Sequence, residues 1–579
     1  MDRADQKILD ELNQAVPHER ECEVCHNKWQ IEQADIDLLK KLVVPLPTEC
    51  PECNFKWRLS HRNERNFYKR KCDATGKEIV TVYSPDKPYK VYDKDYWHSD
   101  AWDPMEFGQD YDPGRNFFEQ FNELMLKVPY PNLFYINCEN SDYVNNSGYC
   151  RNCYMLTVSP YNENCYYGKQ VNYGRECVDC LKIMHCESCY ENIYVANCNN
   201  CYFLYNSQDC FDCHFSENLT GCKNCILSFN LKNKQYYIRN KPVKKEEFEE
   251  FKRSWNWPKV KQEFLEERQK IVVKYADIVN STNCSGHNIA NSRDCYQCFG
   301  VDSHENCRHC QDEQKEMKDG YYSYSSGYNS QLFYNVVGAA LGSYQIVCSN
   351  TIYEGSQNVS YSYLCWSSKN LFGCVGLKQK QYCILNKQYQ REEYEKLVEK
   401  IKLDMLSRGE YGQFFPKQQS HYGYNESSAW DYQPLTKEEA VKQGFKWSDY
   451  EAESAYAGPW YEPLDIKEYF EESRANELLA GVLKCEATNK PFRITGPELA
   501  FYLKHQIPIP HRSPGQRHMD RMGRRNPFRL YKRQCMCEGQ GSSGGCAHDG
   551  KCTNVFETTY APERPEKVYC EECYQKEVM

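Results

Sequence analysis

A chain of 579 residues is too long for one hydrophobic core, since such cores stop growing at roughly 250 to 300 residues, and several cores are expected. Its 35 cysteines and 48 tyrosines inflate a hydrophobic fraction of 40%, and with a mean hydropathy of -0.84 the aliphatic cores must be modest. The net charge of -9 excludes a global pull toward nucleic acid and leaves only local basic patches to make such contact.

The first residues, MDRADQKILDELNQAV, lack the apolar core of a secretory signal and read as a short amphipathic helix. The longest weakly polar run, Phe333 to Cys348, falls short of the 18 or more apolar residues of a spanning helix. A cytoplasmic protein without membrane contact is expected, and in a reducing compartment its cysteines read as metal ligands or compact buried groups rather than disulfides.

Aligned against itself at an offset of 463, the chain matches Cys22–Ile31 with Cys485–Ile494, Val44–Pro47 with Ile507–Pro510, and Phe67–Cys72 with Leu530–Cys535. After a 14-residue insertion the register resumes at 477, placing Val82–Asp93 on Thr559–Cys570. One module of about 75 to 90 residues therefore occurs at both ends (1–104 and 484–579). In the first copy Cys22, Cys25, Cys50 and Cys53 form two Cys-x2-Cys knuckles, the spacing that closes four thiolates around a tetrahedral Zn²⁺. Their counterparts Cys485, Thr488, Ser513 and Gln516 leave one thiolate, so that site is expected to be vacant.

The second half reverses this. Cys535, Cys552, Cys570 and Cys573 can form a four-cysteine site, while their counterparts are Cys72, Thr75, Asp93 and Tyr96. Two structural zinc ions are expected, one per copy. The insertion adds Cys537, Cys546 and His548 as alternative ligands or as the basis of a third metal, against the reading of a glycine-rich loop with incidental thiols.

The CEVC…PTECPEC arrangement, with Trp29 after the first knuckle and a helix-like DIDLLKKL before the second, resembles a zinc-ribbon domain of treble-clef type. The wider pattern, including RNERNFYKRKCDATGK and TYAPERPEKVYCEECY, resembles cysteine-rich repeat proteins of candidate-phyla bacteria and implies no particular activity.

Between the modules, after a linker or helix at 105–131, Cys-x2-Cys pairs recur every twelve residues at Cys186/Cys189, Cys198/Cys201, Cys210/Cys213 and Cys222/Cys225. A fixed period rich in Tyr, Phe, Asn and Ser reads as a β-solenoid. Residues three apart on a straight strand face opposite ways, so each pair must straddle a turn if both sulfurs point inward. The cysteines then either pack, bind metal, or act as redox pairs. Leu231–Phe248 matches Leu377–Tyr394 at an offset of 146 with ten identities in eighteen, and each match enters a charged helix that would cap a solenoid run. Two runs are expected, 132–277 and 278–408, followed by a linker-like aromatic and acidic segment at 409–483 in which Thr436 to Gly444 is a capped helix. The fold class is mainly β: a cysteine-rich β-solenoid in two helix-capped runs, flanked by the duplicated zinc modules.

Each module also carries a basic segment. Arg58, Arg62, Arg65, Lys69 and Arg70 in the first copy, and Arg517, Arg521, Arg524, Arg525, Arg529, Lys532 and Arg533 in the second, interleave with aromatics in a pattern that suits phosphates and unpaired bases. The competing reading is a solvated or internally paired basic face, docking on the acidic solenoid. No phosphate-binding loop, zinc-protease motif or catalytic triad is present, and four-cysteine sites leave no open metal position. The sequence therefore favours a non-enzymatic zinc protein that binds nucleic acid (RNA or DNA), with a protein-interaction scaffold as the alternative and a metal-storage or redox role behind both.

Overall fold

The computed structural model describes residues 2–313, 315–450, 456–539, 548 and 550–578. From Asn137 to Arg239 every third residue has a left-handed φ. Three residues therefore make one side of a turn, the left-handed residue makes its corner, and four sides close a turn of twelve. Parallel pairing follows that register, with Arg175 beside Glu187 and Cys177 beside Cys189. Left-handed backbone costs most L-residues roughly 1–2 kcal/mol, and Asn and Asp tolerate it best, which is why asparagine recurs at corners such as Asn140, Asn152, Asn164, Asn197 and Asn200. Stacked corners also bond to one another: Asn140 Nδ2 donates to Asn152 (2.8 Å) and Asn197 Nδ2 to Asp209 (2.9 Å).

The residue after each corner points inward, so the two cysteines of a pair flank a corner such as Asp179 and both enter the interior. Their thiols donate to backbone carbonyls, Cys177 Sγ to Arg175 (3.3 Å) and to Cys186 on the next turn (3.4 Å). In the second run one interior column passes from Cys307 through Gly320 to Phe333, Ile346, Val359, Leu371 and Cys383. Cysteine thus alternates with plain hydrophobes at one structural position. The register is thirteen rather than twelve between Met317 and Ser330, and the bulky Phe333 and Ile346 of this column sit in such longer turns.

Both runs end alike. Helices Lys245–Ser254 and Arg391–Ser407 close over the last strands, and the equivalent ring pairs Tyr236–Phe248 (5.9 Å) and Tyr382–Tyr394 (5.6 Å) seat them, covering an edge that would otherwise expose unpaired backbone. The helices expected at 3–14, 33–42 and 437–442 are present, the last with its Thr436 capping box. No helix among the described residues is long and apolar enough to cross a membrane.

The first part of the segment expected to be linker-like is packed, while Trp460, Leu464 and Phe470 further along it are exposed. Phe414, Phe415, Tyr422 and Tyr424 are buried in the core shared by the first module and the second run, since aromatics at that density gain more from burial than from exposure.

Each module spans both runs. The first half of the amino-terminal copy docks on run two, where Tyr322 donates to the Glu49 carbonyl (3.0 Å) and Arg308 binds Asp35 (2.5 Å). Its second half pairs Val91 in parallel with Tyr130, the lead into run one. The carboxy-terminal copy mirrors this: Tyr167 of run one donates to Glu498 (2.9 Å), while Val568 pairs with Val273, the lead into run two.

Asn197, an exposed corner at φ 52°, tests the corner rule. Asn197→Val should destabilise the chain by about 1–2 kcal/mol and Asn197→Gly by much less, as read by chemical denaturation; equal losses would refute it.

Candidate metal centres and the basic segments

The ligating atoms of Cys22, Cys25, Cys50 and Cys53 lie within 4.8 Å of one another, as do those of Cys535, Cys552, Cys570 and Cys573. Each tetrad can hold a metal ion. A third group, Cys537, His548 and Cys573, meets the same distance and shares Cys573 with the second. Cys546 lies outside the described residues. No group of this kind falls among the described solenoid cysteines.

All four half-sites of the duplication keep one backbone contact. The residue that opens the second knuckle donates its N–H to the first cysteine: Cys50 to Cys22 Sγ (3.3 Å), Cys570 to Cys535 (3.2 Å) and, at a vacated site, Asp93 to Cys72 (3.2 Å). At the fourth, Cys485 is held near 7: burial opposes its ionisation, and the Ser513 backbone and the Thr488 hydroxyl outweigh it. What changes is the side chain at the helix start. Cys50 precedes helix Pro51–Ser60, whereas its counterpart Ser513 caps helix Pro514–Arg524 by accepting from Gln516 N. Asp93 caps Lys94–His98 in the same way. At both of these places a helix-capping side chain stands where the other copy has a candidate metal ligand.

Within the tetrads the thiols perturb one another. Cys50 falls to about 6, chiefly through the Cys53 thiol hydrogen-bonded to it, while burial raises Cys25 to about 11. Burial likewise raises Cys535 to about 12; at Cys570 burial is outweighed, first by the Asn554 amide at 3.4 Å, and the thiol is lowered.

Most of the basic residues do not face solvent. Arg58 and its exact counterpart in the alignment, Arg521, are among the most deeply buried large side chains, at 0% and 1% exposure. Arg58 donates to Asn54 (2.7 Å), to Gln311 (3.2 Å) and to the Val336 carbonyl of run two (3.3 Å). Arg521 reaches run one, binding Asp179 (2.9 Å) and Glu191 (3.2 Å). Arg517 pairs with Asp179 and Glu498, Arg524 with Glu191, Arg62 with Glu64 and Arg65 with Asp431. Half-buried Arg525 stacks over Tyr432 (4.3 Å) and Phe528 (4.5 Å). Arg70 bonds the Tyr89 carbonyl, and Arg533 that of Ala561. Lys69, Arg529 and Lys532 remain exposed, with Arg529 3.6 Å from Glu52 of the other module. Internal pairing therefore describes the larger part of both segments, and docking on solenoid carboxylates describes Arg517, Arg521 and Arg524. Charge in a sequence does not reveal whether its partner is outside the chain or within it; the acids at 179, 191 and 498 were there to be paired, but only the fold brings them near.

A cavity marks one difference between the copies. In the first, Tyr83 stacks on Tyr422 (5.6 Å) and the ring of His421 packs against Tyr89 and Tyr130, both 4.6 Å away. The ring equivalent to Tyr83, Tyr560, instead lines a polar cavity with Tyr205, Glu217, Arg268, Arg524 and Arg525 that leaves about 30 Å³ for water-sized groups. The alignment offered one signal for it: the counterpart of Tyr89, which packs on His421 in the first copy, is Glu566, and Glu566 lines the cavity.

Removing one partner of a buried pair typically costs 3–5 kcal/mol. Arg521→Ala should lose about that much and free the carboxy-terminal module to proteolysis, whereas exposed Arg529→Ala should lose under about 0.5 kcal/mol.

Burial holds His61 and His518 down to about 3 and His421 well below its ordinary value. The folded state keeps these rings neutral, so the stability they contribute is present above about pH 6.5 and lost as pH falls, at about 1.4 kcal/mol per pH unit for each. Neither ring nitrogen of His421 has a hydrogen-bond partner among the described residues. His421→Phe should therefore raise the melting temperature at pH 5.5 more than at pH 7.5; an equal shift at both would contradict the assignment.

No protein-family model, curated protein or solved structure matches the chain.

Proposed function

We propose that this is a non-enzymatic, cytoplasmic scaffold in which two structural zinc ions fix duplicated zinc-ribbon modules across a pair of solenoids, leaving the solenoid faces to bind a protein partner. One observation carries this reading: most arginines of both modules turn inward, with Arg517, Arg521 and Arg524 bound to carboxylates of run one, Arg58 to amides and a carbonyl, and Arg62 to Glu64 of its own module. Modules built this way serve as clamps. Four thiolates at tetrahedral spacing suit Zn²⁺ in a closed structural site, and solenoid cysteines that form no disulfide among the described residues suit a reducing compartment.

The surface available to a partner includes Tyr149, Tyr161 and Tyr173, each 46–49% exposed. They stack with His185 at centroid spacings of 4.7–4.8 Å along run one. Tyrosine offers a large, rigid, amphipathic contact and is enriched at interfaces.

Nucleic-acid binding remains the second reading, favoured by exposed Lys69 and Lys71 and by Lys532 on the equivalent strands Tyr68–Lys71 and Tyr531–Gln534. A few phosphate contacts would give weak binding with a shallow salt dependence. The two readings separate in one set of measurements: under the scaffold reading, single- and double-stranded oligonucleotides are not retarded at low salt, and a photo-crosslinker at position 161 captures a defined protein. Retardation that is lost in a Lys69→Ala, Lys532→Ala double variant would replace that reading with the nucleic-acid one.

A further inference from the structure

We propose that the carboxy-terminal module binds a second metal ion next to its four-thiolate site, held by Cys537, His548 and Cys573, with the Cys573 thiolate shared between the two ions. This rests on the reading of Cys535, Cys552, Cys570 and Cys573 as a zinc site.

The insertion opens the first knuckle from within. Where the amino-terminal copy runs from Cys72 to Thr75, the carboxy-terminal copy runs from Cys535 to Cys552, and the added chain carries its own sulfur and imidazole. Both ends are pinned beside the thiolates. Cys552 N donates to the Cys537 carbonyl at 2.9 Å. Gly539, at φ +85°, passes so close to the returning strand that a Cβ there would sit 2.3 Å from the Gly550 carbonyl and 2.7 Å from that of His548. Only glycine permits this approach, and the approach carries His548 over the cluster.

The imidazole is oriented as a ligand. Its Nδ1 lies 3.0 Å from the Gly550 carbonyl oxygen, which accepts but cannot donate, so the proton sits on Nδ1. The lone pair of Nε2 then faces Cys573 Sγ, 3.3 Å away. A ligating histidine whose other nitrogen donates to a backbone carbonyl is the usual arrangement around bound metals. Cys537 is fully buried, and the three ligand atoms lie within 4.8 Å of one another, a span that ligands at roughly 2.0–2.3 Å from one ion can meet.

Charge gives the reason for a second ion. Four thiolates around one divalent cation leave two negative charges in a buried site. Adding the Cys537 thiolate, a neutral imidazole and a second divalent cation leaves one, which lowers the cost of keeping charge away from water. Sulfur and imidazole donors select a borderline or soft cation, Zn²⁺ foremost.

Native mass spectrometry of the zinc-loaded full-length chain tests this, with His548→Ala and Cys537→Ser as independent variants. Each should carry one zinc fewer than the parent while remaining folded, and Cys570→Ser should lose both zinc ions of the module. With ¹¹³Cd in place of zinc, two resonances should be coupled to each other through Cys573. Unchanged stoichiometry in both insertion variants would overturn the second ion and leave the four-thiolate site standing. A loss of one ion without cadmium–cadmium coupling would overturn the shared thiolate. If Cys570→Ser leaves the zinc count unchanged, the four-thiolate reading itself fails.

Discussion

At the centre of the molecule the carboxylate of Glu64 holds Arg62 and Lys169, both at 2.7 Å, and Lys169 in turn lies 3.6 Å from Asp431. These four residues come from the first module, the first run and the segment after the second run, and Tyr324 of the second run donates to Glu64 at 3.3 Å. Asp431 also reaches Arg65 and His518, which brings in the carboxy-terminal module. Every part of the chain thus supplies a group to one dry polar junction. Ions in such a place are costly unless each is paired, so any relative slip of a module or a run strands a charge. Hydrophobic contact alone would tolerate many dockings of a flat solenoid face; this junction tolerates one.

The same constraint accounts for the crossed arrangement of the modules. Because each copy ties its first half to one run and its second half to the lead strand of the other, the two halves of the duplicated chain are interlocked rather than placed end to end. Arg58 and Arg521 are the equivalent bolts, and they illustrate how divergence proceeds in a duplicated frame. Arg58 is satisfied by amides and a carbonyl, and its burial brings it down to about 10, whereas Arg521 is satisfied by two carboxylates. The metal sites diverged in a parallel way, since a cysteine that begins a helix and a serine or aspartate that caps it occupy the same backbone position. Loss of a metal ligand there leaves the helix start satisfied.

Much of this was legible in the sequence, for identifiable reasons. Cysteine spacing reported both tetrads because knuckle geometry is local, and the twelve-residue period reported the solenoid because each turn repeats its neighbour. The three-residue separation within a pair even required the corner that Asp179 provides. Asparagine recurring at separations that are multiples of three, as at Asn137, Asn140, Asn152 and Asn164, was an available signal for left-handed corners. The burial of Arg517 and Arg521 was not legible, because Asp179 and Glu191, which pair with them, lie hundreds of residues away along the chain. The packing of Phe414, Phe415, Tyr422 and Tyr424 was half legible: aromatics at that density forecast burial, while the acids of the segment suggested a tether.

The turn built from four three-residue sides has one more consequence. Twelve residues added to or removed from a run restore the inward and outward sense of every side chain, so such a run can change length in whole turns without disturbing its interior. The brackets at the two ends deny that freedom. Since each module spans both runs at a set separation, a turn gained by one run would have to be matched in the other, and the pair can lengthen only in step, like the two rails of a ladder whose end pieces are already fixed.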